Sequence, residues 1–269
     1  MIVDVWAQIT TERMARAPWL ATLLRWTGRA GDPMAATPQS TLAAMDAGGV
    51  DVALLSAWYG PEGSLISNEE VATQIAAAPD RFRGLASADL RDPMGAVREL
   101  RKWVDGKRFV GVRLVPWLWD LPPNDRRYYP VYAACIELNV PFCTQIGHTG
   151  PLKRSECGRL IPYLEDVLLD FPELVVVGGH VGFPWLDELM TLTIKFPNFH
   201  VDTSAYTLER LPRDFVDYMK GMGSRRVMFG TNWPMIAPAK CLAHLDALGL
   251  SGEGREAFLS GNARRVFRL

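Results

Sequence analysis

At 269 residues, with 48% hydrophobic and 22% charged side chains, the chain carries enough apolar material to bury a large core, as one domain or two. Its formal net charge of -1 gives no dense basic face of the kind nucleic acids and anionic membranes require, so a small molecule is the expected partner. Cys135, Cys143, Cys157 and Cys241 lie far apart without a C-x-x-C pair, which argues against a disulfide framework or zinc knuckle and predicts reduced, mostly buried thiols.

The chain opens directly into Ile2-Val3-Asp4-Val5, without the basic segment, apolar stretch and cleavage site of a secretory leader. No apolar run reaches the roughly 20 residues that cross a bilayer. The expected compartment is the cytoplasm. Short β-branched or apolar runs at residues 2–5, 52–55, 82–86, 110–115, 140–146, 174–177, 200–202 and 227–230 predict eight strands. Amphipathic segments of helical length follow most of them, at 40–47, 69–77, 94–104, 129–138, 159–169 and 239–248.

Strands separated by helices need crossover connections, which favour a parallel sheet. Eight such units predict an α/β chain closed into a single-domain, TIM-like (β/α)₈ barrel over residues 1–269. The competing open, doubly wound sheet lacks its phosphate-binding turn, because no G-x-G-x-x-G follows the first strand. Residues 10–37, with Trp19, Trp26 and several arginines, read as an extended first βα loop. It would serve either as a lid over the barrel mouth or as the interface of a homo-oligomer.

In such a barrel the residues just after each strand converge on one cavity. Strand one ends in Trp6-Ala7-Gln8, strand two in Ser56-Ala57-Trp58, and strand four in Arg113 followed by Trp117 and Trp119. Strand five leads to Gln145 and His148, strand six ends in Gly178-Gly179-His180, strand seven gives Asp202 and Ser204, and strand eight gives Thr231-Asn232-Trp233. Two glycines before His180 let backbone approach a ligand and aim the ring into the mouth; the alternative is a structural histidine. His148, between glycines, is a second catalytic candidate or a turn residue. Arg113 in a strand is costly unless paired, by a substrate carboxylate or an internal one such as Asp89.

Asp202 is placed to act as a base or to orient a histidine, or else simply to bond neighbouring backbone. Asn232 and Gln8 are candidate donors to a developing oxyanion. Trp6, Trp58, Trp117, Trp119 and Trp233, with Gln145, would wall a pocket suited to a planar, anionic substrate, although core packing explains any one tryptophan. Arg126, Arg127, Lys153 and Arg154 would hold an anionic tail or form a solvated face.

Several strings carry a resemblance along nearly the whole chain: Ile2-Val3-Asp4, Gly147-His148-Thr149-Gly150-Pro151, Gly179-His180-Val181-Gly182 with Pro184-Trp185, Val201-Asp202-Thr203-Ser204, Phe229-Gly230-Thr231-Asn232-Trp233-Pro234, and Asn262-Ala263. In this order they resemble the amidohydrolase-related family, in the branch of aminocarboxymuconate-semialdehyde decarboxylase and related aromatic-acid enzymes. Metal-dependent members carry His-x-His after strand one and Asp after strand eight. Trp6, Gln8 and Asn232 stand there in this chain, so the resemblance implies a site without metal ligands and without a cofactor. The Asp-Val-Trp start and Gly-Thr-Asn ending are similar to a subgroup of hydroxyphenyl β-ketoacyl-CoA hydrolases.

The resulting expectation is a metal-independent hydrolase of an aromatic acyl or β-ketoacyl substrate. His180 or His148 would activate water, Asn232 and Gln8 would polarise the carbonyl, and Arg113 would anchor an anionic group. Two alternatives stand beside it: non-oxidative decarboxylation of an aromatic or enoic acid, and a non-catalytic binding barrel descended from such an enzyme.

Overall fold

The computed structural model describes residues 1–31 and 36–269. Its eight barrel strands are β1 (Val3–Ala7), β2 (Val52–Ser56), β3 (Phe82–Ala86), β4 (Phe109–Leu114), β5 (Phe142–Gln145), β6 (Val176–Gly179), β7 (Phe199–Asp202) and β8 (Val227–Met228). Every neighbouring pair is parallel, in sequential order. A parallel bridge between Ala7 and Trp233 brings the last strand back to the first, and Val5 N donates to Phe229 O at 3.1 Å. The barrel is therefore the expected (β/α)₈ architecture, as one domain.

Asp4 reinforces that closure. Its carboxylate accepts from the Thr231 hydroxyl at 2.5 Å, from Thr231 N at 2.9 Å and from Trp6 N at 3.1 Å. Buried hydrogen bonds of this kind tie β1 to the turn after β8 where strand pairing has already ended.

The connecting helices are α1 (Glu12–Ala15) and α2 (Pro18–Trp26) in the first loop, then α3 (Pro38–Gly48), α4 (Asn68–Ala77), α5 (Pro93–Trp103), α6 (Pro116–Trp119), α7 (Tyr129–Glu137), α8 (Tyr163–Asp170), α9 (Leu186–Lys195), α10 (Arg213–Lys220), α11 (Pro238–Leu242), α12 (Gly252–Glu256) and α13 (Asn262–Phe267). Their starts are legible in local chemistry. Thr37 with Ser40, and Ser67 with Glu70, form reciprocal capping boxes, and Asp92 caps a helix that opens on Pro93.

The predicted segment 239–248 divides into α11 and a 3₁₀ turn over Leu245–Leu248, and 159–169 begins as a helix only at Tyr163. A short antiparallel hairpin, Trp58–Gly60 with Gly63–Ile66, extends β2 beyond the barrel rim. Val3, Val5, Leu54, Leu85, Cys143, Val177 and Met228 pack with Ala263, Val266 and Phe267 of α13 in one apolar cluster. All four cysteines are free and buried. No helix among the described residues is long and apolar enough to cross a membrane.

Candidate functional site

The strand register sets which side chains meet at the carboxyl ends of the strands. The β1–β2 pairing shifts between Asp4 and Ala7. Beyond that irregularity the Trp6 indole lies against β6, where a Cβ on Gly179 would come within 2.2 Å of Trp6 Cζ3. Sequence reasoning expected Gly178-Gly179 to make room for a ligand; Gly179 makes room for Trp6.

Trp6 joins Arg113 and His180. The Arg113 guanidinium carbon lies 3.7 Å from the indole centroid, and the His180 ring lies 4.4 Å from it at a 41° tilt. An arginine face on an indole is a favourable cation–π contact, stronger when water is excluded. Arg113 is 1% exposed. It donates to Val5 O at 3.0 Å and to Ser56 Oγ through a short contact. The sequence offered Asp89 as its internal partner, but Asp89 pairs with Arg91. The charge is compensated by oxygens, the indole face and the nearby buried carboxylates Asp202 and Asp4.

His180 stands at the end of β6 with a positive φ of 75°, followed by Val181 at 62°. Left-handed backbone is unusual for a histidine and a marked outlier for a β-branched valine, and such strain gathers at functional sites. Its Nδ1 lies 2.7 Å from Ser204 Oγ. Ser204 N in turn donates to Asp202 Oδ1 at 2.9 Å. Asp202 thus holds the serine that holds the histidine. Burial first, then the charge of Arg113 and then that of His148, push the His180 pKa down to about 3. Burial pushes Asp202 upward against the pull of Arg113, and raises Asp4 to about 7.

The amides lie at or just past the ends of β1, β5 and β8. Gln8 Nε2 donates to Asn232 Oδ1 at 3.0 Å, and Asn232, at φ 67°, donates its backbone N–H to Trp6 O at 2.8 Å. Gln145 Nε2 is taken up by the carbonyls of Ile146, Gly147 and His148. Among the described residues, Gln8 Oε1, Gln145 Oε1, Trp6 Nε1 and Asp202 Oδ2 are buried without a hydrogen-bond partner. A buried polar atom left unpaired costs about 1–3 kcal/mol, so each of these atoms calls for a partner.

The remaining tryptophans gather elsewhere on the rim. Trp19 of α2 stacks on Trp58 at 6.1 Å and meets Trp117 edge-on at 5.0 Å. Trp119 is buried, and Trp233 donates Nε1 to Thr41 Oγ1 at 3.0 Å. The first loop therefore packs across strand ends β2 and β4; residues 32–35 of the segment 10–37 lie outside the described residues. His148 lies on the loop after β5, with its backbone N–H on Phe183 O at 2.7 Å and its ring edge-on to Phe183. Of the rim cations, Arg127 is engaged by Asp125.

Sequence reasoning placed Ser56 and Ser204 among the strand-end residues without giving them a role, and left Asp4 out of the site. The signal for Ser204 was its position two residues past Asp202 at a strand end, and for Asp4 a lone carboxylate inside an apolar strand.

A divalent metal in such a barrel needs three or four imidazole, carboxylate or thiolate ligands. No group of three such side chains that could hold one occurs among the described residues. An indole presents no lone pair, Gln8 and Asn232 are bonded to one another, and the Arg113 cation lies against Trp6. These residues do not fit a metal.

Comparison with known proteins places the chain as follows. The sequence profile of the amidohydrolase family matches residues 3–269. Gamma-resorcylate decarboxylase of Rhodococcus jostii is 27% identical over 255 residues, covering 76% of this chain and 75% of the relative. An uncharacterized TIM-barrel protein of Bordetella bronchiseptica superposes with a TM-score of 0.82 at 23% identity, over 99% of this chain and 98% of that one. A dihydroxybenzoic acid decarboxylase of Polaromonas, solved with manganese and 2-nitroresorcinol, superposes with a TM-score of 0.74 at 19% identity, over 100% and 97%.

These findings correct the expectation of hydrolysis. The Rhodococcus and Polaromonas relatives are decarboxylases, which add a proton where a carboxylate leaves, whereas a hydrolase adds water to a carbonyl. The β-ketoacyl-CoA subgroup finds no support among them. Nor does metal independence, since the Polaromonas barrel holds manganese.

Proposed function

The chain belongs to the amidohydrolase family, and from that premise we propose that it is a non-oxidative decarboxylase of an aromatic acid bearing ring hydroxyls. The observation that carries the reading is His180, anchored through Nδ1 to Ser204 and stacked on an indole at the end of β6. The reaction exchanges one carbon–carbon bond for one carbon–hydrogen bond: the aryl carboxylate takes up a proton at the ring carbon and leaves as carbon dioxide. It needs a proton donor beside that carbon and a site that tolerates an anion.

Before substrate binds, His180 is neutral, because burial and then the charge of Arg113 oppose its protonation. An incoming carboxylate reverses that balance, since an opposite charge nearby favours the imidazolium. Substrate binding therefore loads the proton that is then delivered to the ring carbon. Asp202 and Ser204 fix the ring's orientation, and the buried Arg113 cation moderates the charge that accumulates. Gln8 and Gln145, with unpaired amide oxygens, accept the substrate's phenolic hydroxyls, and Asn232 keeps Gln8 turned. The tryptophans of the rim, brought together by Trp19, shield the ring from water.

The test is incubation with gamma-resorcylate and ring-substituted ortho-hydroxybenzoates in deuterated water. Carbon dioxide and a phenol carrying one deuterium at the vacated carbon are the expected products. Recovery of every acid unchanged would remove the enzymatic reading and leave a binding barrel. As no ligand set occurs among the described residues, turnover is expected to survive chelation.

A further inference from the structure

Beside the barrel mouth lies an open groove of about 1060 Å³ between the end of α2, the turn after α6 and the loop after β5. Arg25, Lys153, Arg154 and His148 line it, with Asp120 as its one acidic side chain. Other arginines are paired: Arg91 with Asp89, Arg127 with Asp125 and Arg159 with Glu188. Arg25, Lys153 and Arg154 differ. Their side chains make no ion pair or hydrogen bond to any described residue, although they face one depression from two separate elements.

Three cations share this groove with one carboxylate, that of Asp120, and the remaining excess of positive charge is relieved by an anion held among them. The groove also reaches the loop after β5, where His148 lines it. Its volume, at the upper end of the roughly 300–1,000 Å³ of small-molecule pockets, far exceeds what a single benzoate ring occupies.

We infer that this groove binds an oxyanion, a phosphate or a second carboxylate, beside the reacting carboxylate of the substrate. The inference rests on the decarboxylase reading only for what lies next door; the groove's own chemistry stands on its three cations. The same anion has two sources, a tail carried by the substrate or a free ion.

The experiment is calorimetric titration of the full-length chain with inorganic pyrophosphate at low ionic strength, against an R25A/K153A/R154A variant. All three positions are exposed, so the fold is retained. A control variant, K107A/R225A/R264A, removes the same charge from exposed positions remote from the groove. Loss of about tenfold or more in affinity in the groove variant, with the control unchanged, is expected if three charge-assisted contacts hold the ion.

The four histidine side chains give an independent readout by NMR: pyrophosphate should shift His148, and leave buried His200 and Glu209-paired His244 unmoved. Equal affinity in the groove and control variants, or no shift at His148, overturns the site. These readouts need no turnover, so they survive failure of the decarboxylase reading. With a substrate in hand, a rise in KM on adding pyrophosphate identifies the substrate's own tail, and an unchanged KM identifies a free ion.

Discussion

Gly179 and Trp6 make the most direct test of the site at the level of single side chains. A methyl group at 179 would overlap the indole edge at 2.2 Å, and neither β6 nor the ring has an easy retreat while Arg113 and His180 flank it. Gly179→Ala is expected to destabilise the fold by about 1–3 kcal/mol, read by denaturant titration, as overpacking in a filled core does. An unchanged midpoint would mean that Trp6 does not occupy the barrel mouth.

His180 and Asp4 respond to pH with opposite signs. For His180, held near 3 by burial, Arg113 and His148, the unfolded chain binds a proton below about 6.5 that the folded one refuses, so stability falls as pH drops through that window. His200, also driven to about 3, adds to the same loss. Asp4, raised to about 7, holds a proton in the fold that the unfolded chain has released, so its contribution falls as pH rises from about 4 to 7. Subtracting the unfolding free energy of Asp4→Asn from that of the parent should leave a difference that declines across that range and is flat above it.

Single residues were also where the sequence was hardest to read. His180, Asp202 and Asn232 were visible because each follows a strand. The partner of Arg113 was not, because strand parity past a register shift is set by pairing, and the answer was a serine and a carbonyl instead of a carboxylate.

Among the elements, the first loop carries the clearest consequence. α1 and α2 hold Trp19 against Trp58 and Trp117, which lie at the ends of β2 and β4. If that aromatic contact closes the mouth over a planar substrate, Trp19→Ala should raise KM severalfold with a smaller change in kcat. The accompanying stability loss should be about 1 kcal/mol, the scale of aromatic pair contacts. Steady-state kinetics on the decarboxylated acid separates this from a purely structural role, which would lower stability and leave KM alone.

The barrel elements themselves were legible because short apolar, β-branched runs and amphipathic stretches alternate along the chain. Boundaries were less so: the segment 239–248 has helical spacing throughout, yet the structure breaks it after Leu242. The hairpin after β2 was missed because three- and four-residue strands carry too little pattern to announce themselves.

At the scale of the whole molecule, the positive charge buried at the mouth of this barrel is a guanidinium from β4, fixed against the face of Trp6. The Polaromonas barrel was solved with manganese, and the family resemblance implies that Trp6 stands in place of a ligating histidine. Restoring ligand chemistry alone therefore should not restore metal binding. In Trp6→His combined with Gln8→His and Asn232→Asp, a divalent ion would lie close to the Arg113 cation. Two unit charges at about 4 Å repel by about 4 kcal/mol at the effective dielectric of a protein surface, and a divalent ion roughly doubles that.

The triple variant is accordingly expected to bind manganese weakly. Adding Arg113→Met, which removes the charge and keeps an unbranched apolar stem, should strengthen binding by tenfold or more, measured by metal titration on folded protein verified by circular dichroism. Equal manganese affinity with and without Arg113 would show that the cation does not govern the site. A gain confined to the Arg113→Met background would mean that the barrel exchanged one positive centre for another, and that the two cannot occupy it together.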